Sequence, residues 1–287
     1  MPAMARSHPP VVDVHIHPPI GSHIPSGYDA YLNERYPGGA RWLAEQFGSP
    51  ERVIANMDAS GVDYSLVLAQ VVPITSEVVT NEMVAEFCRG QPRLLPCATV
   101  NPYLEHDPAG LLERLVVEQG FRALKLYPTY GYYYPNDRLL YPVYAVAQRL
   151  GIPVLVHTGS SVFPGSRLKY GDPLYLDDVA VDFPNLAILQ SHGGRPIWYD
   201  HAETLARYHP NVYIDISGLP PQKLPEYFPN LRRLARKLVF GSDWPGPPGT
   251  VRGNIEAIRA LGLPEDVTAD ILGGTAARLL RLEQPGG

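Results

Sequence analysis

Cysteine is scarce: Cys88 and Cys97 are the only two in 287 residues, too few for a disulfide framework and suited to a reducing compartment. No apolar run approaches the roughly 20 residues that a membrane-spanning helix needs. The first residues, MPAMARSHPP, lack the apolar core of a signal peptide. Excess positive charge is missing too, and a formal net charge of −5 gives no electrostatic footprint for nucleic acid or an anionic membrane. There is no low-complexity tract and no linker. No GxGxxG follows the first apolar run, which argues against a dinucleotide-binding open sheet. These absences lead to the expectation of a soluble, cytoplasmic protein with neither nucleic-acid nor membrane partners, and say nothing about its chemistry.

What the chain does have is a rhythm. Eight short apolar runs recur along it: VVDVHIH from Val11, GVDYSLVLA from Gly61, LLPCATVN from Leu94, FRALKLY from Phe121, IPVLVHT from Ile152, LAILQSH from Leu186, NVYIDIS from Asn211 and KLVFGSD from Lys237. Between them lie stretches with helical spacing, such as AGLLERLVVEQG and LYPVYAVAQRLG. Continuous apolar strands alternating with amphipathic helices predict a parallel sheet covered by helices. Eight such units in one chain predict a single-domain (β/α)₈ TIM barrel over residues 1–287. The first two runs are separated by more than the roughly 30 residues usual for one unit. The excess, residues 18–50, is rich in Gly, Pro and Tyr. It reads as too broken for a barrel helix, and as either a lid or substrate loop over the active-site end or a plain surface insertion.

The strands turn polar at their C-terminal ends, the face on which barrel enzymes place their chemistry. His15 and His17 stand two apart on the first strand, so their side chains share one side. His157, His192 and Asp243 stand at matching strand ends. Imidazoles and a carboxylate gathered at one mouth are the donor types of a zinc or similar centre. His192 serves this pattern either as a ligand or as an acid, base or electrophile. Asp243 serves either as ligand and base or as a cap on the helix that follows. Lys125 admits three roles: a carboxylated bridge between two metals, a substrate-binding cation, or a packed strand-end lysine. Arg195, just after HGG, serves either to pair its planar fork with a substrate carboxylate or as a surface salt bridge, and Trp198, Tyr127 and Tyr130, with Tyr132 to Tyr134, are either walls for a planar substrate or packing residues at the mouth. His8, His23, His106, His201 and His209 fall in loops or helices and are expected to be solvated.

The motifs DVHIH, ALKLYP, VLVHTG, LQSHGG and VFGSDWP together resemble the amidohydrolase superfamily. The likeness is greatest to the branch of aminocarboxymuconate-semialdehyde decarboxylase, the resorcylate-type decarboxylases and several lactone hydrolases. It extends to the terminal LPEDVTADILGGTAARLLRL, where Thr275 stands at a position often occupied by asparagine. The resemblance implies a divalent metal, zinc or alternatively manganese, held by His15, His17, His157 and Asp243, with His192 beside it. A second metal would follow if Lys125 is carboxylated. It also implies one of two reactions. The expected one is hydrolysis of a small carboxylated or cyclic lactone, ester or amide by metal-activated water, with Asp243 moving the proton and His192 polarising the carbonyl. The alternative is non-oxidative decarboxylation of an aromatic or dienoic acid, and a metal-free binding or scaffold barrel is a third reading. A homodimer follows by analogy with other barrels alone.

Overall fold

In the computed structural model, residues 9–246 and 249–282 are described. Eight barrel strands run β1 (Val12–Ile16), β2 (Tyr64–Leu68), β3 (Leu94–Thr99), β4 (Ala123–Leu126), β5 (Val154–His157), β6 (Ile188–Ser191), β7 (Val212–Asp215) and β8 (Leu238–Val239). They pair in sequence order, all parallel. The ring closes because the segment after β8 bonds back to β1, with Val14 N to Phe240 O at 3.1 Å, Asp243 N to His15 O at 2.9 Å and His17 N to Trp244 O at 2.8 Å. The result is the expected TIM barrel. Each predicted apolar run contains one strand.

The runs read as continuously apolar because both faces of each strand are buried. Residues such as Val14, Leu68, Cys97, Leu155, Leu189 and Val239 form one cluster inside the barrel. Their alternates, among them Val67, Leu124, Val156 and Ile214, pack outward against the helices. Three of those helices, Pro50–Ser60, Pro108–Gln119 and Tyr141–Leu150, have proline in the first turn and stop on a left-handed glycine, at Gly61, Gly120 and Gly151 respectively. That is the asymmetry of preset φ at the start and tolerated positive φ at the end.

β1 carries a register shift between Asp13 and Ile16. Strict alternation from Val12 and Val14 would turn Ile16 inward. The irregularity resets the phase, so His15 and His17 reach the interior mouth instead, a re-aiming typical of bulges near active sites.

The insertion after β1 differs from its expected form. It holds two short helices, Ser26–Asn33 and Gly39–Phe47, rather than an open loop. Tyr28, Leu32 and Leu43 from these helices form a small apolar cluster of their own, with Phe163 packed against it. The rings of Tyr28 and Tyr31 meet Phe163 edge-on at 5.1 and 5.3 Å, the geometry aromatic quadrupoles favour. Thus the insertion crosses the mouth to the loop that follows β5. A two-stranded antiparallel ribbon, Gln70–Val71 with Val78–Val79, extends from β2 on the same side of the barrel.

Candidate metal centre and active site

The site begins at His15, which is fully buried. Its Nδ1 lies 2.7 Å from Asp215 Oδ2 and 2.8 Å from Ser217 Oγ. Donating the Nδ1 hydrogen to the carboxylate leaves the lone pair on Nε2, and this Nε2 is buried with no hydrogen-bond partner among the described residues. Asp243 Oδ1 is 3.4 Å from it. His192 is prepared in the same way: its Nδ1 sits 2.9 Å from Ser217 O, so it donates there and keeps its other nitrogen for the cavity. Such outer partners fix the tautomer and orientation of metal-binding imidazoles.

His15, His192 and Asp243 offer ligand atoms that all lie within 4.8 Å of one another. His17 Nε2 is 3.8 Å from Asp243 Oδ1. The His157 ring centroid is 4.7 Å from that of His192, while its Nε2 faces Ser160 O at 3.3 Å. All five candidate ligands therefore converge, with His192 in the tightest trio. Burial first, and neighbouring positive groups second, push His17, His157 and His192 well below the usual imidazole range. Neutral rings are the form that binds metal. A buried imidazole nitrogen with no partner, facing a carboxylate, is the donor chemistry of a divalent cation site.

His192 and Asp243 have φ of 67° and 61°, in the left-handed region that non-glycine residues seldom occupy. Each such residue costs on the order of 1–3 kcal/mol, and such strain concentrates at functional sites. Asp13, by contrast, supports the seam of the barrel. Its Oδ1 accepts from His15 N at 3.1 Å and Ser242 N at 2.9 Å.

Lys125 is fully buried, and its Nζ donates to Ser191 Oγ at 2.7 Å. Burial lowers its amine to about 8 against the pull of Asp215 and Asp243. Arg195 donates from Nη1 to Gly218 O at 2.8 Å and holds Nη2 3.7 Å from Asp243 Oδ2. It lines the cavity over the trio, which has Tyr28, Tyr31, Tyr127, Tyr130 and Phe163 as aromatic walls. Trp198 is not among the lining residues. It stands at the start of the helix Tyr199–Tyr208, against Gly194. Tyr132 is tied to Gly165 O at 2.6 Å, and Tyr134 packs on Tyr170 and Tyr175. Of the five remaining histidines, His8 lies outside the described residues. His201 and His209 pair with Asp172 and Asp177 at 2.8 and 2.7 Å rather than standing free.

Sequence reasoning overlooks Asp215 and Ser217, although YIDIS places an aspartate at a strand end in the same position as the ligands. Asp215 is fully buried. Burial alone would raise its carboxyl, but His15, Lys125 and the Ser217 amide outweigh it and hold the group below the ordinary range. Tyr28, Tyr31 and Phe163 carry no local signal of their role.

Glu77 is another buried carboxylate, 3% exposed. Burial raises it from 4.5 to about 7, against the Gly21 amide and the Tyr28 hydroxyl, whose oxygen is 3.4 Å away. With the folded value above the unfolded one, its contribution to stability is fully present in acid and is lost as pH rises through about 7. Glu77→Gln is therefore expected to raise the melting temperature relative to wild type near pH 8 and to leave it unchanged near pH 4. An equal shift at both values would show that the carboxyl does not titrate in this way.

Residues 12–282 match the amidohydrolase family. No curated protein matches the chain. Among solved structures, an uncharacterised TIM-barrel protein from Bordetella bronchiseptica is 24% identical with a TM-score of 0.76, covering 96% of this chain and 99% of its own. A 5-carboxyvanillate decarboxylase from Sphingomonas paucimobilis is 17% identical with a TM-score of 0.69, over 96% and 99% of the two chains. A dihydroxybenzoic acid decarboxylase from Polaromonas, with bound manganese and the inhibitor 2-nitroresorcinol, is 16% identical with a TM-score of 0.69, over 96% and 97%. At these identities the solved structures establish the fold alone. Their barrel and the family match over nearly the whole chain agree with the strand-end histidines and aspartate: the chain belongs to the amidohydrolase family.

Proposed function

We propose that the protein is a metal-dependent decarboxylase of a small aromatic acid. The observation that carries this reading is the cavity itself. Its floor is a histidine–aspartate cluster, its walls are aromatic, and its one arginine stands beside Asp243. A planar ring fits between tyrosines, and a carboxylate fits the fork of Arg195. The Sphingomonas and Polaromonas decarboxylases support this choice over the hydrolysis expected from the motifs.

His15, His192 and Asp243 would hold the metal, with His17 and His157 at its margin. Manganese is proposed in place of the expected zinc because the Polaromonas relative carries it. When bound, the cation would hold and polarise the substrate's carboxylate and a neighbouring ring oxygen. A single ion is proposed, since the amine of Lys125 is occupied by Ser191.

Arg195 orients the carboxylate. Tyr28, Tyr31 and Phe163, in the roof formed by the insertion and the loop after β5, keep water from the ring; this is the lid role proposed for residues 18–50. Asp243 delivers a proton, drawn from solvent, to the ring carbon that bears the carboxylate. The bond from that carbon to the carboxylate then breaks, its electrons restore the ring, and carbon dioxide leaves.

Product analysis separates this from hydrolysis. Incubated with manganese and hydroxybenzoic acids, the protein should release carbon dioxide and the matching phenol, and chelator should abolish the release until manganese is returned. Conversion of lactones or esters with incorporation of solvent oxygen, and no carbon dioxide from any aromatic acid, would overturn the proposal.

A further inference from the structure

Ser217 stands behind the site rather than in it. It is fully buried and is not among the residues that line the cavity. Its hydroxyl oxygen nevertheless touches three functional groups: it lies 2.8 Å from His15 Nδ1, 3.1 Å from His192 Nδ1 and 2.9 Å from Asp215 Oδ2. Two of these belong to candidate metal ligands, and the third to the carboxylate that orients the first of them.

The hydrogens can be placed by elimination. His15 Nδ1 is 2.7 Å from a carboxylate oxygen, and His192 Nδ1 is 2.9 Å from a carbonyl oxygen. Each nitrogen must carry its hydrogen, since otherwise lone pairs would face each other. Neither imidazole can then accept from Ser217. Among the described residues the acceptor left for the hydroxyl hydrogen is Asp215 Oδ2. The two lone pairs of Oγ are thereby turned toward the two Nδ1–H groups, each of which it shares with a second oxygen. A hydroxyl has one donor and two acceptor positions, and all three are in use. Asp215 Oδ1 also accepts from the Ser217 amide at 2.9 Å, which fixes the serine at both ends. The packing around this group is close. A methyl on Gly241 would lie 2.4 Å from Asp215 Oδ1, 2.8 Å from His15 Cβ and 3.0 Å from Ser217 Cβ, so the chain needs glycine there.

We propose that Ser217 is a positioning residue that couples His15 and His192 to one carboxylate, Asp215, the first directly and the second through the serine hydroxyl. The inference rests on the metal-centre part of the reading above and holds whichever reaction the metal serves. Hydrogen bonds in a chain polarise one another. The charge of Asp215 therefore reaches His192, a ring it does not touch, and makes both imidazoles more basic toward a cation. The two rings act as one ligand unit rather than as two independent donors.

The test reads the two Nδ1–H protons by NMR in the full chain, stripped of metal and isotopically labelled at histidine. Asp215→Asn should move the signals of both His15 and His192. In a Ser217→Ala background the same substitution should move His15 alone, because His192 keeps only the carbonyl of residue 217. Should Asp215→Asn fail to fold, Ser217→Ala by itself should still shift the His192 signal, and it removes only one oxygen from the interior. A second measurement is manganese affinity, followed through the EPR signal of the free ion. Ser217→Ala should weaken binding about tenfold, and the loss in the double variant should be smaller than the product of the two single losses. An unmoved His192 signal in Asp215→Asn or Ser217→Ala, a shift that reaches His192 undiminished without the serine, or losses that simply multiply would each overturn the coupling while leaving the metal centre in place. Failure of the wild-type chain to bind manganese would overturn the metal centre, and the proposal with it.

Discussion

Asp243→Asn is expected to lower carbon dioxide release from a hydroxybenzoic acid by about three orders of magnitude, the middle of the range for loss of a positioned acid or base. Asparagine is the informative replacement for two reasons. It keeps the volume beside His15 and Arg195, and it tolerates the left-handed backbone that this position requires. The fold should therefore survive, with a melting temperature close to that of wild type. Because Asp243 is also a proposed metal ligand, the assay is run at excess manganese; substrate binding should then persist through Arg195, and the loss should fall on kcat more than on KM. Retention of more than about a tenth of the wild-type rate would remove Asp243 from the proton transfer.

Asp215→Asn is the second large effect, and it acts at one remove. Asp215 touches His15, not the cavity. It fixes which nitrogen of His15 faces the site, and it shares the buried interior with Lys125. Removing its charge leaves the imidazole free to present the wrong tautomer, and changes of this kind cost about 10- to 100-fold in metal affinity. They also leave Lys125 with less counter-charge, and breaking a buried charge pair costs about 3–5 kcal/mol. The expected outcome is a protein that melts earlier and retains less manganese after dialysis, measured by elemental analysis. Activity should return in part at high manganese. Wild-type metal content together with wild-type melting would show that His15 does not depend on Asp215 for its orientation.

The barrel was legible in the sequence because strands buried on both faces must be apolar throughout, and eight such runs leave little choice of architecture. His15, His17, His157, His192 and Asp243 stood out for the converse reason: they are polar groups where the pattern demands apolar ones. The rest of the site depends on geometry that no local pattern encodes. The bulge in β1 decides that His15 and His17, not Ile16, point inward, yet DVHIH reads the same with or without it. Asp215 lies in an ordinary strand and gains its role only from a neighbour 200 positions away. Trp198 looked like a wall residue because it is close in sequence to Arg195, but the helix start carries it out of the cavity. The insertion looked like a loop because its helices are short, and their reason to form is packing against Phe163 rather than strong local propensity.

The seam between β1 and β8 has a consequence for biosynthesis. His15 is translated early and Asp243 late, and their backbones bond directly where the ring closes. A nascent chain that has reached only β7 already holds every candidate histidine, but it lacks the carboxylate and the strand that complete the trio. The contacts that close the barrel are thus the same ones that bring the Asp243 carboxylate to His15 and His192.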